Sequence, residues 1–186
     1  EKMSAIVNYE DRATCPIFGD GAAGVLLEAT AEPYGLMDEI LRSDGEGVKH
    51  LHHVAGGSAK PASHETVDAR EHFIYQEGQA VFKWAVVKMA EATETILQRN
   101  DLTSEDISFL LPHQANMRII KATGSRLGLD EDKVLINIEK YSNTTSATIP
   151  MLMYENQNRF KKGDNLILTS FGAGFTWGAI WLKWAI

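Results

Sequence analysis

Thr176 to Ile186 carries apolar side chains on both faces of the alternation that a strand imposes. Trp177, Ala179 and Trp181 fall on one side, and Ile180, Leu182 and Trp184 on the other. A strand with one wet face alternates apolar with polar; one that is apolar on both is expected between two layers of structure. The fold must therefore be layered around a sheet. The spacing predicts a long amphipathic helix from Gly78 to Asn100. Phe82, Ala85, Val86, Met89, Ile96 and Leu97 form its apolar stripe, and Glu91, Glu94, Gln98 and Arg99 its polar face. Ile107 to Leu111 reads as a short buried strand stopped by Pro112. Ala115 to Leu127 reads as a helix closed by Gly128. Val134 to Ile138 is expected as another strand. Asn143 to Ser146 should open a helix through Met151, Leu152 and Tyr154, bent at Pro150, and Asn165 to Ser170 should precede the closing strand. This order gives an α/β fold with a partly parallel sheet. Ser43 to Arg70 has no steady period and reads as a long excursion.

The residues before the closing strand have an echo. Phe171-Gly172-Ala173-Gly174 precedes the strand, and Phe18-Gly19-Asp20-Gly21 precedes the apolar run Val25-Leu26-Leu27, which is expected to be a strand as well. The second copy follows a long stretch of helix and strand, whereas the first follows only a short one. Together with a start at Glu1 rather than a methionine, this leads us to expect most of one half-unit upstream.

Composition narrows the function classes. Of 186 residues, 44% are hydrophobic and 23% charged, which suits a soluble, well-cored chain. No run of about eighteen apolar residues marks a membrane span, and no apolar leader segment is visible. A net charge of −7 without a Lys/Arg block argues against non-specific nucleic-acid binding. The single cysteine, Cys15, cannot form an internal disulfide and fits a reducing compartment, so we expect a cytoplasmic protein.

Several residues can carry chemistry. His113 follows Pro112 at the carboxyl end of a buried strand, where sites form in α/β sheets. There it can meet an oxyanion or move a proton, or simply be satisfied by a carbonyl. Asn143 can offer an amide donor to developing charge or serve as a plain helix cap. Phe171 to Phe175 can bring backbone N–H groups close to a substrate or form a tight hairpin. Cys15 precedes Pro16-Ile17-Phe18, which reads as a strand start, so it is expected to be buried and structural rather than an activated thiolate. His50, His52 and His53 have no Cys or carboxylate at metal-binding spacing and read as a solvated loop. The glycine patterns match neither the P-loop nor the full dinucleotide fingerprint.

Together, several segments resemble the β-ketoacyl-acyl-carrier-protein synthase III family of thiolase-fold condensing enzymes. They are Asp11 to Cys15 with Phe18 to Ala22, Gly78 to Lys83, Pro112-His113-Gln114-Ala115-Asn116-Met117-Arg118, Asn143 to Pro150, and Phe171 to Gly178, in family order. The resemblance implies a duplicated five-layer α/β/α/β/α fold. Residues 1–33 would end the N-terminal half, 34–74 would form a connecting excursion, and 75–186 the C-terminal half. It implies decarboxylative condensation of an acyl-CoA primer with malonyl-acyl-carrier protein at the start of fatty-acid synthesis, by a homodimer without a bound cofactor. His113 and Asn143 match two members of the family's Cys-His-Asn set, with His113 Nε2–H and the Asn143 amide as two neutral donors to an enolate. The Ala173 N–H matches an oxyanion donor, tolerable for alanine if its φ stays negative. Gln114, Ala115, Asn116, Met117 and Arg118 match the carrier-protein motif, and Phe82 an acyl-tunnel residue. The nucleophilic Cys motif is not among the matches, so the chain alone is expected to be inactive. The alternatives are a non-catalytic carrier-protein-binding or assembly subunit, and a sister enzyme of polyketide or quinolone synthesis.

Overall fold

The computed structural model describes residues 1–186. Its main sheet places Gly35–Ser43 (β1) at one edge and Phe109–Pro112 (β4) at the other, with Thr176–Lys183 (β6) and Asn165–Gly172 (β5) between them. β4 and β5 run parallel, and β6 is antiparallel to both β5 and β1. The sheet is thus partly parallel, as the element order requires. Leu51–His53 (β2) and Ile74–Gln76 (β3) form a separate antiparallel pair, and the short helix His64–Asp68 (α1) lies between them in sequence.

Gly78–Arg99 (α2) packs across β6, β5 and β1. Its Ala90, Ile96 and Leu97 join Leu110, Ile120, Ile167 and Ala179 in the largest buried cluster, with Trp177 and Trp181 packed against it. Each fully buried Ile or Leu there contributes about 1.5–3 kcal/mol relative to exposure. On the opposite face Leu111, Leu152, Phe160 and Leu166 form a second cluster, with Leu182 and Trp184 at its margin. The two faces of β6 therefore meet two different layers, but the second is incomplete. Ile180, Leu168, Leu41 and Ile149 line an open groove of about 870 Å³ along that face. No helix is long and apolar enough to cross a membrane.

Several elements differ from the sequence expectations. The predicted helix from Ala115 begins at Met117 (α3, Met117–Arg126), because Asn116 is extended and caps it, its Oδ1 accepting the Arg118 N–H (2.8 Å). Gly128, at φ +68°, turns the chain out of it. Val134 to Ile138 is not a strand. Val134 makes one isolated parallel bridge to Leu110, and Ile138–Tyr141 (α4) is already helical. Pro150 lies in the first turn of its helix, Thr148–Asn156 (α5), rather than in its interior, and there a missing N–H costs no intrahelical bond. Val25, Leu26 and Leu27 form no strand and are 62%, 86% and 76% exposed; no ladder or layer of this chain reaches them. Cys15 lies in a turn, its N–H donating to Asp11 O (2.9 Å), and is half-buried. The His50–His53 stretch is not a solvated loop: His50 and His52 are half-buried, and the neighbourhood holds β2.

Candidate active site

The parallel ladder delivers His113 to the end of the sheet. Its N–H donates to Thr169 O (2.8 Å), extending the β4–β5 pairing by one residue beyond Pro112. The turn after it is held by Gln114, whose side chain is fully buried. Its Nε2 donates to Pro112 O (2.8 Å) and Leu135 O (3.3 Å), and its Oε1 accepts the N–H groups of Asn137 (3.0 Å) and Ile138 (3.1 Å). That carboxamide ties the strand end to the segment leading into α4. His113 Nδ1 lies 2.6 Å from Thr148 Oγ1 in the first turn of α5, and Thr148 Oγ1 is 2.8 Å from Thr145 O. Burial pushes the His113 pKa down to about 4 from 6.5, so the imidazole is neutral at physiological pH. The side chain keeps partial access through the cavity it lines.

Asn143 is brought to the same place by the first glycine motif. Phe18 forms a parallel bridge with it: Asn143 N–H donates to Ile17 O and Gly19 N–H to Asn143 O, both at 2.9 Å. A Cβ at Gly19 would lie 2.4 Å from Tyr141 O, and one at Gly21 would lie 2.9 Å from the Thr144 side chain. These glycines are needed for close backbone approach. Asn143 Oδ1 accepts the Thr145 N–H (2.9 Å), which leaves its Nδ2 as the free end.

The second glycine motif is the β5–β6 turn. Ala173 does not have positive φ, as an alanine there requires, whereas Gly174 has φ +139°. The Ala173 N–H makes no hydrogen bond within the protein. Phe171 and Phe175 pack behind the turn with ring centroids 4.7 Å apart and planes tilted by 52°, and Phe175 is fully buried.

His113, Asn143 and Ala173 line one cavity of about 360 Å³, whose remaining wall is largely apolar and includes Met3, Phe18, Leu51 and Ile74. A second pocket of about 450 Å³ shares Ile17, Gln76, Val81, Asn116 and Ile119 with it and leads to Lys83 and Arg118. A neutral polar interior thus opens toward two cations on an otherwise acidic chain. Such an arrangement suits an elongated ligand with an anionic end outside and a reactive carbonyl inside.

The structure places the other expected residues variously. Ala115 and Asn116 line the His113 cavity, Met117 starts α3 half-buried, and Arg118 is exposed with its guanidinium 5.1 Å over the Phe82 ring. Phe82 lines the second pocket rather than the cavity holding His113. Gln114 stands apart from the other four residues of its motif: with every carboxamide group engaged and no exposed surface, its side chain braces the turn and presents nothing to a partner. Cys15 is not among the residues lining either pocket. Sequence reasoning assigned no role to Thr148, Gln76 or Lys83. Thr148 gives no periodic signal, since its role arises only when α5 meets the end of β4. Gln76 follows Ile74 by two positions and so shares the pocket-lining face of β3, a pattern too short to signal a role.

Comparisons with known proteins identify the family. Residues 97–184 match the family model described as 3-oxoacyl-[acyl-carrier-protein] synthase III C terminal, and residues 1–45 match 3-oxoacyl-[acyl-carrier-protein] synthase III. The chain is 58% identical over 185 residues to the beta-ketoacyl-[acyl-carrier-protein] synthase III of Porphyromonas gingivalis, covering 100% of this chain and 55% of that protein. Among solved structures, the 3-oxoacyl-[acyl-carrier-protein] synthase III of Aquifex aeolicus superposes with a TM-score of 0.87 at 34% identity, over 99% of this chain and 56% of that one. The Thermus thermophilus synthase III superposes at 0.82 and 38% identity, over 98% and 56%. The chain spans about 55% of the length of the curated relatives it matches. Its α/β architecture is thiolase-like. On these matches the chain belongs to the 3-oxoacyl-[acyl-carrier-protein] synthase III family.

Proposed function

We propose that this chain forms the C-terminal part of a β-ketoacyl-acyl-carrier-protein synthase III, an acyltransferase that condenses an acyl-CoA primer with malonyl-acyl-carrier protein to begin fatty-acid synthesis. The observation that carries this reading is the convergence of His113, Asn143 and the unpartnered Ala173 N–H on one cavity that opens toward Arg118 and Lys83. Loss of CO₂ from a malonyl thioester leaves negative charge on the thioester oxygen. His113 Nε2–H and the free Asn143 Nδ2 are two neutral donors for such an oxygen, and the Ala173 N–H is a further oxyanion donor, in a water-poor site where each is worth far more than in water. Arg118 and Lys83 suit the phosphate of a pantetheine arm, and the apolar wall at Met3, Phe18, Leu51 and Ile74 suits an acyl chain. The reaction needs a covalent acyl carrier as well. Cys15 lines neither pocket, so the nucleophilic thiol comes from a segment outside residues 1–186. Residues 75–186 then form the C-terminal thiolase-like half and 1–33 the end of the preceding half. Within 34–74, β1 adds an edge strand to the C-terminal sheet. The same reading makes the enzyme a cytoplasmic homodimer that works with acyl-CoA and acyl-carrier protein and without a cofactor.

The test is to incubate the chain with radiolabelled acetyl-CoA and then with malonyl-carrier protein. The chain alone should take no covalent label and make no ketoacyl product. Adding the part of the Porphyromonas gingivalis relative that this chain does not match should restore both. Stable label on Cys15 followed by product would overturn the assignment of the thiol.

A further inference from the structure

Between the cavity that holds His113 and the pocket that leads to Lys83 and Arg118 lies a neck, formed by the five residues that line both: Ile17, Val81, Ile119, Gln76 and Asn116. Three are apolar and two carry carboxamides. Resting on the synthase reading above, we propose that Gln76 is a substrate-binding residue that hydrogen-bonds an amide of the pantetheine arm where the arm passes through this neck.

β3 sets the direction of the side chain. Ile74 and Gln76 share one face of the strand, and Leu51 stands opposite Gln76 on β2; all three line the His113 cavity, whereas Tyr75 alternates to the exposed side. Gln76 is half-buried, and its carboxamide makes no hydrogen bond within the chain. Asn116 differs, because its Oδ1 accepts the Arg118 N–H (2.8 Å) as the cap of α3, which leaves it only N–H groups to offer. Gln76 is thus the side chain of the neck with both an acceptor and donors free.

A ligand that fills the neck excludes water from it. A carboxamide that loses its water without gaining a partner carries a penalty. Ile17, Val81 and Ile119 suit methylene groups, but a purely alkyl chain would leave Gln76 unpaired. A pantetheine arm alternates pairs of methylenes with amides, and each amide offers an N–H and a C=O to a group that can both accept and donate. With the thioester oxygen at Asn143 and the phosphate at Arg118 and Lys83, the amides of the arm are the polar groups left for the neck. Gln76 therefore selects thioesters carried on a pantetheine arm over simple alkyl thioesters, at a point the reacting atoms do not touch.

The contact can be read on the chain without turnover, so it is tested apart from the condensation assay. In ¹H–¹⁵N spectra the Gln76 side-chain NH₂ pair is assigned from its loss in Gln76→Leu. Phosphopantetheine added to the chain should shift that pair together with the backbone amides of Ile119 and Arg118. Gln76→Leu should weaken binding about tenfold, followed at the Ile119 amide, as expected for one lost hydrogen bond. Inorganic phosphate should move Arg118 without moving Gln76 and should bind both proteins equally. An unmoved Gln76 pair while Ile119 shifts, or equal phosphopantetheine affinities for wild type and Gln76→Leu, would overturn the proposal and leave the synthase reading to the condensation assay. No shift at any of the three residues would overturn it together with the placement of the arm. Gln76→Glu, which removes the NH₂ pair at nearly constant shape, supplies the assignment if Gln76→Leu does not fold, and the wild-type titration then decides.

Discussion

Gln114→Leu is the substitution for which the structure gives the most definite energetic expectation. The side chain is fully buried and makes four hydrogen bonds, two as donor and two as acceptor. Leucine keeps most of the volume, so the cavity contribution is small and the loss is polar. The Asn137 and Ile138 N–H groups would be left without acceptors in a buried turn, each at about 1–3 kcal/mol. Greater apolar burial by leucine returns part of this, giving a net loss of about 2–5 kcal/mol, a large share of a typical domain's stability. Urea unfolding measures the loss, and amide exchange at Asn137 and Ile138 locates it. Gln114→Glu keeps the acceptors but turns a negative charge toward the carbonyls of Pro112 and Leu135, so it should also destabilise. A loss under about 1 kcal/mol for Gln114→Leu, with both amides still protected, would refute the bracing role.

Two further outcomes are expected. Burial holds the His113 pKa at about 4 against 6.5 in the unfolded chain, so the unfolded state binds more protons between those values. The associated stability is fully present above pH 6.5 and is lost as pH falls toward 4, by about 3 kcal/mol in total; His113→Gln should lack this component when urea midpoints at pH 7.5 and 4.5 are compared. Arg118→Glu should raise the KM for malonyl-carrier protein severalfold at low salt in the reconstituted enzyme, with the difference shrinking at high salt and unfolding unchanged within about 0.5 kcal/mol. An unchanged KM at low salt would remove Arg118 from the docking surface.

Legibility in the sequence followed the range of the interactions. α2 was legible along its length because a long amphipathic stripe records one helix against one sheet, and β6 because its two apolar faces record two layers. Val134 to Ile138 was misread because its apolar residues serve tertiary packing rather than pairing. Val134 fits against Gly124, where a Cβ would lie 2.6 Å from its Cγ2, and it bridges Leu110 once. Val25 to Leu27 has a strand's composition, but pairing depends on a partner edge that composition does not report. At the site, the motif residues His113 and Asn143 were legible, and so was the need for glycine at the Phe171–Phe175 turn. The contact of Thr148 with His113 was not, because Thr148, Thr145 and His113 come together only when the first turn of α5 reaches the end of β4. Gln114 likewise reads, by resemblance, as part of a carrier-protein motif until its four partners are known.

In the proposed reaction Asn143 and its neighbours stabilise the charge that develops when a malonyl thioester loses CO₂. The most direct measurement is release of labelled CO₂ from malonyl-carrier protein by the chain reconstituted with the missing part of the Porphyromonas gingivalis relative, comparing wild type with Asn143→Ala. Release should fall about 10²- to 10³-fold in the variant while acyl loading of the thiol from acetyl-CoA is largely retained. Release at the wild-type rate would contradict it.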